Sequence, residues 1–166
     1  MDADRSDPTE QAIATVAAEI LGGAGPDSGL LLNRGDIGLF RSLDALSAVE
    51  ASRVVPPGKA SVAAHVEHLR YGFALHNRWI AGDADPFADA DWSAAWTETA
   101  VTDAAWDRLR ADFRAEAEAW FAGFGRLLDR GQTERTATVA EVAHAAYHLG
   151  AIRQMVATAQ GPPARD

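Results

Sequence analysis

The chain has 166 residues, 48% apolar and 23% charged, which suits one compact domain with a core and excludes a wholly disordered chain. A formal net charge of -9 argues against nucleic-acid binding, which needs clustered Lys and Arg to displace counterions from phosphates. The absence of cysteine removes disulfides, thiolate metal ligands and a cysteine nucleophile.

The opening stretch MDADRSDPTEQ is polar and acidic, unlike a signal peptide. No run approaches the roughly 18 apolar residues needed to cross a bilayer, so the expected location is the cytoplasm, with no membrane contact. Asp7 and Pro8 form a helix start, as cap and first helical residue. Apolar residues then recur at helical spacing until Gly22 and Gly23 end the segment. Residues 24–36, rich in Gly, Asp and Asn, read as a loop, and 37–51 as weakly helical. Pro56, Pro57 and Gly58 make a hard break.

Ser61 is placed to cap a long helix that runs to about Gly82. A polar loop follows over 83–91, then a short turn or extended segment, WSAAWTETAV. Thr102 or Asp103 opens the next long helix, which Gly131 closes. Thr138 is read as the start of the last helix, stopped by Gly161, Pro162 and Pro163. No segment alternates with the period of a strand, so the fold class is all-α: a four-helix bundle with a shorter helix or turn between the first and second long helices. One domain is expected over 8–158, with frayed termini at 1–7 and 159–166. Trp79, Trp106, Trp120, Phe113, Phe121 and Phe124 are read as core, since aromatic residues at helical spacing usually pack.

The five histidines are not scattered. His65, His68 and His76 lie on the second long helix, His144 and His148 on the last. At about 100° per residue, His144 and His148 stand roughly 40° apart and one turn along, so both imidazoles can converge on one ion. His65 and His68 are also one turn apart, and only one of them need reach the same ion. His76 lies roughly 16 Å along the helix from His65 and is read as structural or exposed. The segment HAAYH lacks the Glu of helical zinc proteases, and HVEH has the wrong spacing for the inverted version, so a peptidase is excluded. A lone helical histidine is more often a surface or hydrogen-bonded core residue; two pairs on separate apolar helices favour a metal.

These residues resemble the DinB-like superfamily of metal-dependent enzymes. In the segment SVAAHVEHL, His68 stands where that family has its second-helix histidine, which selects it over His65. In HAAYHLGAIR, His144, His148, Gly150 and Ile152 match the family's H-x-x-x-H-R-G-Q-I, while Leu149 and Ala151 replace its Arg and Gln. Trp92, Trp96 and Trp106 are similar to the family's pattern between the second and third long helices. The resemblance covers roughly residues 8–158. It implies a four-helix bundle, a metal held by His68, His144 and His148, activity as a thiol-dependent S-transferase or a related hydrolase on a small-molecule substrate, a low-molecular-weight thiol as cofactor, and a homodimer.

Three imidazoles leave the charge of a divalent ion uncompensated and a coordination position open, which lowers the pKa of a water or thiol nucleophile. Zn or Ni lead as the metal; Fe, Mn and Cu also accept imidazole. Glu141 and Glu67 are candidates to orient the ligands, although a helix-surface acid is usually just solvated. Arg70, Arg78 and Arg153 are candidates to meet an acidic substrate, with His65 as a lining residue. The alternative to an enzyme is a non-catalytic metal-binding or stress-related bundle, and beyond that a bundle whose histidines only pack.

Overall fold

Asp7 and Pro8 open the first helix, α1 (Pro8–Gly22): the Asp7 carboxylate accepts the Thr9 N–H at 2.9 Å, and Pro8 occupies a position where no backbone donor is needed. The structure, a computed structural model, describes residues 7–55, 60–97 and 100–160. The break at Pro56, Pro57 and Gly58 and the expected fraying of 1–6 and 161–166 lie outside the described residues. Among the described residues there are seven α-helices and no strand.

After α1 the chain turns at Gly23, whose φ of +114° and close approach to Asp36 suit only glycine: an added Cβ would sit 2.6 Å from the Asp36 carbonyl oxygen. The weakly helical stretch resolves into two short helices, α2 (Leu39–Asp44) and α3 (Ala48–Ala51), the latter with a Ser47/Glu50 capping box. The Ser61 hydroxyl accepts the Ala64 N–H and starts α4 (Val62–Ile80). A single 3-10 turn, Ala94–Trp96, lies inside the segment read as turn or extended, of which Glu98 and Thr99 fall outside the described residues.

Thr102 caps α5 (Asp103–Gly123) through the Ala105 N–H. The helix expected to continue to Gly131 breaks at Phe124 and resumes as the single turn α6 (Gly125–Leu128). The last helix, α7 (Gln132–Met155), begins six residues before the Thr138 start inferred from its capping chemistry. The reason is local: the Thr138 hydroxyl donates to the Glu134 carbonyl at 2.9 Å, a bond made inside a helix rather than at its start. Arg135 further ties the early turn to the Leu128 carbonyl. At the far end α7 stops at Met155, short of the stop expected at 161–163: Val156 is extended, and a 3-10 turn, Ala157–Ala159, packs Ala159 into the core.

The four long helices close a ring in which α1 packs on α7, α7 on α4, α4 on α5 and α5 on α1, a layout compatible with a four-helix bundle. Trp106, Trp120, Phe113 and Phe124 fill the core with Phe73, Leu69 and Ile152, as their spacing implied. Trp79 is also buried, whereas Phe121 is 37% exposed and is not core. The Trp106 indole N–H is satisfied by the Leu46 carbonyl at 2.8 Å.

Candidate metal centre

The packing of α4 on α7 decides which histidines meet. His65 and His68 project from one flank of α4, His144 and His148 from α7, and the 3-10 turn carries Trp96 over them. His68 Nε2 lies 3.0 Å from His144 Nε2, and His148 Nε2 lies 2.9 Å from the same atom. One nitrogen from each of His68, His144 and His148 falls within 4.8 Å of the others, so these three could hold a metal ion. Ligands at the usual zinc–imidazole distance stand roughly 3.3 Å apart in a tetrahedron; the two spacings to His144 need to open by only a few tenths of an ångström.

Each ring is held by a different neighbour. His68 is stacked on Trp96, centroids 4.5 Å apart and 28° from parallel, and its buried Nδ1 has no hydrogen-bond partner. His148 is 2% exposed, and its second nitrogen, Nδ1, lies 2.8 Å from His65 Nδ1. His144 Nδ1 lies 3.8 Å from Glu141 Oε2. Burial holds His65, His68 and His148 below the ordinary imidazole range; His68 falls to about 4 and His148 to about 2, with the neighbouring histidines adding to the effect. At neutral pH these three rings are therefore uncharged, the form that binds metal.

His65, a candidate lining residue, meets the cluster through His148 rather than through the shared centre. Glu141 is not the solvated acid it resembled in the sequence. It is 5% exposed, its Oε1 has no hydrogen-bond partner, and its Oε2 is 3.4 Å from Nδ1 of a buried His76. The signal was in the spacing: residues 138, 141, 145, 148, 149 and 152 form one buried stripe of α7, on which Glu141 sits beside His148 and Ala145. His76 is structural in the sense expected, with its Nδ1–H directed to the Gly72 carbonyl at 3.0 Å. Glu67 instead pairs with Arg70 at 2.6 Å and does not touch His68.

The arginines considered for substrate binding are all engaged within the chain. Arg70 pairs with Glu67, and Arg78 with Asp83 and Asp89. Arg153 makes a two-pronged ion pair with the buried Asp36, at 2.9 and 3.0 Å, and also donates to the Ile37 carbonyl. That bond fastens the 24–36 loop to the end of α7; the arginine is structural. Around the histidines the walls are aromatic instead: Trp92 lies 5.4 Å from His68 and from Tyr71, and Trp96 meets His65 edge-on at 5.2 Å.

No family model, curated protein or solved structure matches this chain. No helix among the described residues is long and apolar enough to cross a membrane.

Proposed function

We propose that this protein is a metal-dependent enzyme of the DinB-like type, in which His68, His144 and His148 hold one divalent ion, zinc or nickel first. The observation that carries this reading is the convergence of three imidazole Nε2 atoms from two helices, with both spacings to His144 at or below 3.0 Å. The buried Glu141 carboxylate next to them supports it, because its Oε1 has no hydrogen-bond partner and a buried carboxylate so poorly satisfied is costly unless a cation compensates it. A divalent ion there supplies a Lewis acid that makes a water or thiol nucleophilic near neutral pH.

The chain's own groups set what else the site does. Trp96 and Trp92 cover His68 and limit the access of water, and they present aromatic faces to a substrate. With Arg70, Arg78 and Arg153 engaged in ion pairs, these arginines do not recruit an acidic substrate. The reaction class that fits is transfer of a small thiol to an electrophile, with hydrolysis as the related outcome when water is the nucleophile. The expected homodimer and cytoplasmic location belong to this same reading.

Metal analysis of the untagged protein tests it. The expected result is about one divalent ion per chain, lost in His148→Ala while the helical circular dichroism is kept. A folded wild-type chain that binds neither Zn²⁺ nor Ni²⁺ overturns it. Conjugation of low-molecular-weight thiols to an electrophile, present in the wild type and absent in His148→Ala, separates an enzyme from a metal-binding bundle without activity.

A further inference from the structure

The proton inventory of the cluster assigns roles to two residues outside the ligand set. A neutral imidazole has one N–H and one lone pair, on different nitrogens. His148 uses both positions: Nε2 faces His144, and Nδ1 lies 2.8 Å from His65 Nδ1. If Nε2 is to offer its lone pair to an ion, the proton must sit on Nδ1 and be donated to His65. His65 then accepts with its Nδ1 lone pair and carries its own proton on Nε2. The nitrogen of His65 that faces the cluster is thereby consumed, so His65 is not a further ligand.

The same logic applies to His144, whose Nε2 is approached by both His68 and His148. Its Nδ1 is turned toward Glu141 Oε2. The His76 Nδ1–H, the other polar group near that oxygen, is directed to the Gly72 carbonyl. Glu141 is therefore a buried acceptor whose available polar partner on its own helix is His144.

We propose, on the basis of the metal reading above, that His65 and Glu141 are positioning residues: each accepts the Nδ1–H of one ligand, His148 and His144 respectively, and so turns both Nε2 lone pairs toward the ion. The pairing is unequal. Glu141 brings a charge that balances the cation, and His65 brings none, so the site mixes a carboxylate and an imidazole as orienting groups. Outer partners of this kind are worth about 10–100-fold in metal affinity.

The test uses the full untagged chain with Co²⁺, its affinity measured by chelator competition and its coordination by visible absorption. His65→Ala and Glu141→Gln are each expected to weaken Co²⁺ binding by about 10–100-fold. His65→Gln, which keeps an acceptor, is expected to recover most of the loss. Glu141→Gln removes a buried charge, so the metal-free variant should melt no lower than the wild type even as metal affinity falls, a split that mere structural damage does not produce. Should a variant fail to fold, nitrogen-15 NMR of the Zn²⁺-loaded wild type still decides: His144 and His148 are expected with the proton on Nδ1 and the lone pair of Nε2 on the ion. Wild-type affinity in both variants, or Nε2–H tautomers at these two residues, overturns the assignment with the metal reading intact. A wild-type chain that binds no Co²⁺ overturns both.

Discussion

Trp96 lies flat against His68, with ring centroids 4.5 Å apart, although the two residues belong to elements separated by a polar loop. The segment that carries Trp96 is held by Asp91, whose carboxylate accepts from the backbone and hydroxyl of Ser93 and from the Ala94 N–H, and by the Tyr71 hydroxyl, which accepts the Asp91 N–H. The aromatic cover is thus built from local turn chemistry and one long-range bond.

This contact makes the tryptophan a reporter. Binding of Co²⁺ or Cu²⁺ at His68, His144 and His148 should quench part of the intrinsic fluorescence, and replacing both Trp96 and Trp92 by Phe should remove most of that quenching while leaving the metal stoichiometry unchanged. Undiminished quenching in the double variant would place the bound ion elsewhere.

Stability of the metal-free protein should depend on pH in a defined direction. His68 and His148 have folded pKa values of about 4 and about 2, against an ordinary 6.5. Below 6.5 the unfolded chain therefore takes up more protons than the folded one, and stability falls with pH. The melting temperature should be flat above about pH 7, fall progressively from about 6.5 down through about 4, and fall less in His148→Gln. Equal slopes for the two proteins over that window would refute the assignment of the buried histidines.

Glu19 anchors the 24–36 loop. Its carboxylate accepts the backbone N–H groups of Leu30, Leu31 and Leu32 at 2.6 to 3.0 Å; burial alone would raise its pKa, and these three bonds bring it below the ordinary value. Glu19→Ala removes the shared acceptor of three part-buried backbone donors and should cost roughly 1–3 kcal/mol in urea unfolding. It should also open the loop around 30–32 to proteolysis with metal content unaffected. A change under about 0.5 kcal/mol would show that the loop does not depend on this anchor.

The Asp36–Arg153 pair fastens the other end of the same loop, with both side chains largely out of solvent. Asp36→Ala strands a buried guanidinium and should cost about 3–5 kcal/mol, whereas the double replacement with Arg153→Met should recover part of the loss. Additive losses in the double mutant would argue that the two residues act independently.

Much of this molecule is legible from local chemistry. Asp7, Ser61 and Thr102 cap helices where their side chains predict, because a cap needs only neighbours two or three residues away. His144 and His148 share a face because the helical repeat alone puts them there. The start of α7 lies earlier than its capping chemistry suggests for a related reason. A threonine hydroxyl satisfies a carbonyl inside a helix as readily as a free N–H at its start, and the residues from Gln132 onward are helical without an obvious apolar stripe.

What tertiary structure decided was partnership across elements. Whether Glu141 is solvated or buried, whether Arg153 meets a substrate or Asp36, and whether His65 faces the centre or the back of His148 all depend on how α4, α7 and the 24–36 loop are rotated against one another. No residue's own sequence neighbours encode that rotation. It is set by the apolar volume of the whole core, whose packing has no direction in any single segment but fixes, once made, which polar groups are left to face each other.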